Sequence, residues 1–305
     1  LNKDGVQEVA VLTDTGRDPV IAEALAAAAY EMGLEPTVVT MVARAVHGQE
    51  PTAVMAQAVL GSQLMLFAVS TGMAHTDCVR TGLKLGKKYI GMPDITIDTL
   101  TRGAATADYQ EVGRITARVA EILTGGSQVR IISDLGTELI FSVEGRKAVE
   151  LAGVFKPGAI ACFPDGEAAM APVEGTARGK LVIDSSIHQI GRVKEPVRMI
   201  VENGRGTKME GGPEAGILLG ILKKRGDQNS FNIGEFAVGT NPQARISDNV
   251  SEDKKRLGSI HIALGDNLTL GGHTPSATHI DGVMGSPSLW VDNRQIIGHG
   301  KLLLP

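Results

Sequence analysis

Aromatic residues make up only 3% of this 305-residue chain. A surface that stacks successive bases needs several of them, so single-stranded nucleic acid is a poor fit as partner. The formal charge is −4 and no long Lys/Arg block occurs. Phosphate-tracking proteins carry a basic footprint, so nucleic acid of any form is rejected as the main partner. The short basic runs KKYI, DKKR and LKKR read as solvated helix faces. Two cysteines, Cys78 and Cys162, are too few for a disulfide framework, and no CxxC pair offers a zinc site. A reducing cytoplasm is the expected setting. No run of about 18 apolar residues is present, so no membrane span is expected. No GxGxxG follows the first apolar run and no P-loop appears, which removes the main support for dinucleotide or nucleoside-triphosphate binding.

What is present is an apolar fraction of 43%, carried by Ala, Val, Ile, Leu and Met, and 38 glycines. The first 125 residues alternate in an α/β rhythm. Val9–Leu12, Pro36–Met41, Leu64–Ser70 and Lys88–Gly91 read as strands. Between them lie helical segments, the first announced by Asp18 as N-cap and Pro19 at the first helical position. Strands alternating with helices predict an α/β, doubly wound parallel-sheet domain over residues 1–125. Past Gly126 the rhythm changes. Val129–Ser133 and Glu138–Val143 flank the turn Asp134–Thr137, which predicts a hairpin. Residues 126–305 are therefore expected to form an α+β domain with a mixed or antiparallel sheet, interrupted by a helix over 213–225.

Five Asp, Glu or His residues sit in short glycine-rich stretches of this second half. Glu167 lies in FPDGEAAMAP, Glu235 in NIGEFAVGTNP, His261 in SIHIALGD, and His279 with Asp281 in SATHIDGV. His279 and Asp281 are two apart, so on a strand both point to one face and can grip one ion. Glu235 is embedded in apolar residues, and a buried lone carboxylate is costly unless a cation compensates it. Each motif is weak alone. A buried His paired to a neighbouring Asp, a core His261, a turn at Glu167, and Glu235 paired with Arg245 are the plain alternatives. Asp165 and Glu174 are weaker carboxylate candidates.

The succession FPDGEAAMAP, VEGTARGKLVID, NIGEFAVGTNP, SIHIALGD and THIDGV resembles the thermophilic metalloaminopeptidases of the aminopeptidase T type, clearly over residues 125–300 and loosely before. The resemblance implies that Glu167, Glu235, His261, His279 and Asp281 bind metal, and that the protein is a homodimer. The family's tyrosine after the first His is missing: His261 is followed by IALGDNLTLGGH, with Leu268 near that place. A related branch, the 2,5-dihydroxypyridine dioxygenases, shares the architecture but binds one Fe(II) through two His and one carboxylate. Its match uses His279 and Asp281, with a further His where this chain has Glu235. The segment GDNLTLGGHTPSATHID is close to that branch in length and glycine pattern.

The ligand set therefore predicts a metal-dependent hydrolase of an amide-like bond, on a short peptide or another small molecule. Two cations (Zn, Mn or Co) about 3.5–4 Å apart would share a carboxylate and a water. Glu167 or Glu235 would shuttle the proton. His273 would stabilise the oxyanion, since Gly271-Gly272 lets its loop approach closely. The alternative is an Fe(II) ring-cleaving dioxygenase. A third reading is a binding module using Ser70, Thr71, Gly72 and His75 at the end of the third strand.

Overall fold

The computed structural model describes residues 5–45, 48–74, 76–153, 160–224 and 226–304. The chain divides into two compact units, Leu1–Ala105 with Gly153–Asp165, and Thr106–Ala152 with Gly166–Pro305.

In the first unit a parallel sheet runs in the order Glu35–Met41, Glu8–Asp14, Leu64–Ala68, Lys88–Gly91, Ile160–Cys162. The inner strands Glu8–Asp14, Leu64–Ala68 and Lys88–Gly91 are largely apolar on both faces because both faces are covered, whereas the edge strand Glu35–Met41 is mostly exposed. Val9, Val11, Leu64, Leu66 and Ile90 pack with Ile21, Ala22 and Ala29 of the helix Pro19–Glu31. The alternate residues Ala10, Leu12, Met65, Phe67 and Tyr89 pack with Met55, Val59 and Val79 of the helices Ala53–Gly61 and Asp77–Lys84. This is the doubly wound arrangement expected. Asp18 caps the first helix by accepting from the Val20 amide, with Pro19 next to it. The last strand, Ile160–Cys162, reaches this sheet from far along the chain, an addition the α/β rhythm does not reveal.

The second unit holds two antiparallel sheets. One has eight strands, with the expected hairpin of Gln128–Ile132 and Glu138–Ser142 at its centre. The other has seven, and its middle four are His279–Met284, Ile260–Gly265, Ile233–Gly239 and Glu167–Met170, in that order. One apolar cluster draws on both: Ile131, Leu139, Phe141 and Leu181 from the first, Phe236, Val238, Ile262, Leu264 and Ile280 from the second. The rings of Phe141 and Phe236 meet edge to face at 5.3 Å, an arrangement that adds about 0.5–1.5 kcal/mol to the burial itself. The helix Tyr109–Gly125 closes part of this core with Val119, Ala120 and Leu123. Among the described residues no helix is long and apolar enough to cross a membrane.

Candidate metal centre

The period of two along the four central strands separates two environments. Phe236, Val238, Ile260, Ile262, Leu264, Ile280 and Met284 go to the shared core. The residues between them face the other way. Asp281 pairs with Ala263, and Ala263 with Glu235, so two carboxylates flank a methyl group across three strands. His261 lies opposite Ala237, and Glu167 opposite Gly239. Small residues at 169, 237, 239 and 263 leave room above the sheet for five larger polar side chains. Gly239 has a further reason: a Cβ there would stand 2.2 Å from the Arg256 carbonyl oxygen and 2.8 Å from that of Lys254. Its absence lets the connection between two of the strands fold back against them.

All five expected ligands converge. Among the described residues two groups have donor atoms within 4.8 Å of one another: Glu235, His279 and Asp281, and Glu167, Glu235 and His261. In the first, His279 Nε2 stands 2.8 Å from Glu235 Oε2 and 3.3 Å from Asp281 Oδ1. Adjacent ligands of an octahedral ion with bonds near 2.1 Å are about 3.0 Å apart, so this set fits one divalent ion. The carbonyl of Asp266, which can only accept, lies 3.0 Å from His279 Nδ1. That bond puts the proton on Nδ1 and aims Nε2 at the carboxylates. Asp281 is buried, yet no hydrogen bond of good geometry reaches its Oδ1. In the second group His261 Nε2 is 3.2 Å from Glu235 Oε1, while its Nδ1 is 3.8 Å from Glu167 Oε2. Both His261 Nδ1 and Glu167 Oε2 lack a hydrogen-bond partner. Buried orphans of this kind are what a bound group would satisfy.

Two lysines complete the site. Lys254 Nζ is 2.8 Å from Asp281 Oδ2 and 3.9 Å from Glu167 Oε1, and Lys255 Nζ is 2.6 Å from Glu167 Oε1. Both come from the DKKR run, so the expectation of a solvated face is corrected: Lys255 is only 5% exposed and Asp253 is fully buried. The physical reason is local. The helix Val250–Asp253 is capped by Asn249 and pinned by Asp253, which accepts from the Ser247 amide, and this delivers both ammonium groups to the carboxylates. Burial opposes ionisation of Glu167, but Lys254, Lys255 and His261 hold it below the ordinary range. Burial likewise opposes the charge on Asp281, and Lys254 with His279 keeps it ionised far below that range. His279 is pushed down by burial and raised well past its usual value by Asp281 and Glu235. A proton there does for the metal-free protein what a divalent ion would do for the loaded one.

The other sequence candidates fall elsewhere. Arg245 pairs with Glu252, not Glu235. Asp165 joins neither group, and its carboxylate faces the Gly153 amide. In the first unit Ser70 donates through amide and hydroxyl to Asp14; Thr71 Oγ1 is buried without a partner, and His75 lies outside the described residues. His273 is exposed and joins neither group. Its backbone amide donates at 2.7 Å to Glu174, which also accepts from Asn267 Nδ2 at 2.8 Å and pairs with Arg146. Partial burial raises the Glu174 carboxyl, but these donors outweigh it and lower the pKa. A depressed carboxylate stabilises the fold above its unfolded pKa of about 4.3 and stops doing so as pH falls through the folded value. Glu174→Gln is therefore expected to cost about 1 kcal/mol at pH 7, screening by solvent included. The gap should close below about pH 4. Thermal melts of both proteins across that range check this, and a gap unchanged down to pH 3 contradicts it.

The sequence profile of the 2,5-dihydroxypyridine 5,6-dioxygenase family (NicX) matches residues 3–304. The 2,5-dihydroxypyridine 5,6-dioxygenase of Pseudomonas putida strain KT2440 is 23% identical over 167 residues, 49% of this chain and 46% of that protein. The aligned stretch thus spans less than half of that curated relative. The solved structure of 2,5-dihydroxypyridine dioxygenase from the same strain superposes with a TM-score of 0.79 at 21% identity, covering 98% of this chain and 92% of that one. Wild-type AmpT from Thermus thermophilus gives 0.67 at 13% identity, covering 98% and 94%. At such identities the two structures speak for the fold alone. The profile match overturns the expected metallohydrolase. Likeness to AmpT extends to the architecture, and the aminopeptidase reading of the activity has no support beyond it. The error has a physical root: Asp, Glu and His at one site describe an affinity for hard and borderline cations, not a reaction.

Proposed function

The chain belongs to the 2,5-dihydroxypyridine 5,6-dioxygenase family, and we propose on that premise that it cleaves the ring of a dihydroxylated pyridine with molecular oxygen, using iron(II). The observation that carries this is the profile match across residues 3–304. The donor set is compatible with it but departs from the two-His, one-carboxylate triad of such iron sites: Glu235 stands in place of one His, and with His279 and Asp281 it offers three ligands, which leaves positions on an octahedral ion for substrate and oxygen. These three residues would hold the iron, and the iron, when bound, supplies a centre at which an electron-rich ring and oxygen exchange electrons. The reaction is balanced by substrate and oxygen alone, with both oxygen atoms entering the opened product and no external reductant.

The residues of the chain divide the remaining work. His279 has a side chain 38% exposed, so the donor set opens on its side, while the side chains of Glu235 and Asp281 lie on the closed side at 6%. Loss of hydroxyl protons readies such a ring for oxidation; Glu167, paired with Lys255 at 2.6 Å and held below the ordinary carboxylate range, is a poor acceptor for that proton, and its part is to hold the two lysines in place. His273 loses its proposed task with the hydrolase reading.

The test is direct. Protein loaded with ferrous ion under argon, then mixed with 2,5-dihydroxypyridine and air, is expected to take up one oxygen molecule per ring lost, followed with an oxygen electrode and the ring's ultraviolet absorption. Turnover in the absence of oxygen, or no uptake by iron-loaded protein, defeats the proposal.

A further inference from the structure

The segment GDNLTLGGHTPSATHID joins the strand Ile260–Gly265 to His279, and the proposed reaction leaves most of it without a task. Two carboxylates hold it. Glu174 grips the far part through Asn267 Nδ2, the His273 amide and Arg146, which also donates to the Gly271 carbonyl. Asp227 grips the part next to His279. We infer that Asp227 is a positioning residue of the metal centre: by holding Ser276 and Ala277 it fixes the Asp266 carbonyl that aims the His279 imidazole. The inference rests on His279 serving as a ligand in the proposed activity, and it names what orients that ligand.

The bonds can be followed one by one. Asp227 Oδ2 accepts from Ser276 Oγ at 2.6 Å and from the Ala277 amide at 3.2 Å, and Oδ1 accepts from the Asn229 amide at 2.9 Å. The Ser276 amide donates to Asp266 Oδ2 at 3.2 Å. The Asp266 amide donates to the Thr278 carbonyl at 2.8 Å, and the Asp266 carbonyl accepts from His279 Nδ1 at 3.0 Å. Asp266 is thus fixed at carboxylate, amide and carbonyl by residues 276, 278 and 279. A carboxylate suits position 227 because three donors converge on it. An amide there would turn its own N–H groups toward one of them.

The far side of Asp227 extends the grip to a second ligand. Asp227 caps the short 3₁₀ turn Gln228–Phe231, which leads into the strand Ile233–Gly239 and so to Glu235. Asn229 of that turn donates from Nδ2 to the Pro275 carbonyl at 2.9 Å. Asn232, buried just beyond it, accepts from the Gly265 amide at 2.8 Å and donates to the Gly265 carbonyl at 3.0 Å. The segment is therefore held at both ends by residues 227–232. The approaches to Glu235 and His279 form one frame, and the 2.8 Å between Glu235 Oε2 and His279 Nε2 depends on it.

Metal-depleted protein loaded with Co(II) tests this by proton nuclear magnetic resonance, since the ion shifts the resonances of a bound imidazole far outside the ordinary range. His279 held through Nε2 is expected to show a shifted Nδ1 proton that is lost in D2O. In Asp227→Asn and Ser276→Ala that resonance should move, and its exchange with water should be about tenfold faster because the bond to Asp266 opens more readily. Cobalt affinity should fall by about 10–100-fold in both, the range for partners that orient a ligand. Ser276→Thr keeps the hydroxyl and should retain wild-type values. Glu174→Gln, which loosens the far part, should melt lower and leave the resonance in place. An Asp227→Asn protein that melts lower with resonance and affinity unchanged makes Asp227 a structural residue and overturns the inference. An equal shift in Glu174→Gln, a Ser276→Thr protein as impaired as Ser276→Ala, or a wild type without such a resonance also overturns it. Ser276→Ala removes the same bond should Asp227→Asn not fold. Iron-loaded wild type in the oxygen electrode separates the two readings: uptake beside an unmoved resonance in the variants defeats only this inference, and a resonance that moves as expected without uptake defeats only the proposed activity.

Discussion

Asp281→Asn is expected to lose ring-cleaving activity by at least a thousandfold and to be purified with little iron. The carboxylate is ionised at neutral pH because Lys254 and His279 outweigh the cost of its burial. Asparagine keeps the shape and one oxygen but removes the charge. The ion then loses an anionic ligand, and His279 loses a partner 3.3 Å away. Lys254, with a side chain 19% exposed, is left with Glu167 at 3.9 Å as an acidic partner. Removing one member of a buried pair costs about 3–5 kcal/mol, because the other charge stays behind. The variant should therefore melt lower than wild type even when both are stripped of metal. Iron content, oxygen uptake and thermal unfolding of the stripped proteins check the three parts. A variant with full iron and full turnover would remove Asp281 from the centre.

That the five side chains would come together was drawn from the resemblance, and only Glu235 and Asp281 stood out by conflict with their surroundings. Glu235 sits in a run of apolar residues and Asp281 two places from a histidine, and burial there demands a compensating cation. Alternation alone then predicts that His279 and Asp281 share a face, as they do. Lys254 and Lys255 show the opposite case. In a run of four charged residues nothing local separates a solvated lysine from a buried one. The difference lies in the path of residues 240–259, which Gly239 and the capped turn at Asn249 fold back over the strands. A count of charge gave the only available signal, since several buried carboxylates with few imidazoles call for further cations. The α/β rhythm of the first unit was legible for the same reason as the donors: Val9 to Leu12 must be apolar on both faces if both are covered. The strand Ile160–Cys162 was not, because a three-residue edge strand carries no period of its own. The activity was the part least legible, since the same donors serve more than one chemistry.

Gly265→Ala should be as damaging as loss of a ligand, although residue 265 binds nothing. The strand Ile260–Gly265 ends there with φ at +118°, a conformation that a side chain resists. A Cβ would also stand 2.1 Å from the Thr278 carbonyl oxygen and 2.6 Å from Thr278 Oγ1. That carbonyl accepts from the Asp266 amide at 2.8 Å, and the Asp266 carbonyl in turn receives His279 Nδ1. Thr278 immediately precedes His279, which pairs with Gly265 itself. The added methyl must therefore push apart the two backbones that set the imidazole. Strained backbone costs about 1–3 kcal/mol and the clash about as much again, so a loss of about 3–5 kcal/mol is expected. An imidazole displaced by about 1 Å can lower turnover a hundredfold. Denaturant unfolding measures the first effect. The second is read as weakened iron binding together with reduced oxygen uptake, at temperatures where the variant remains folded. A folded Gly265→Ala protein with wild-type iron affinity would show that His279 is set by something other than this backbone contact.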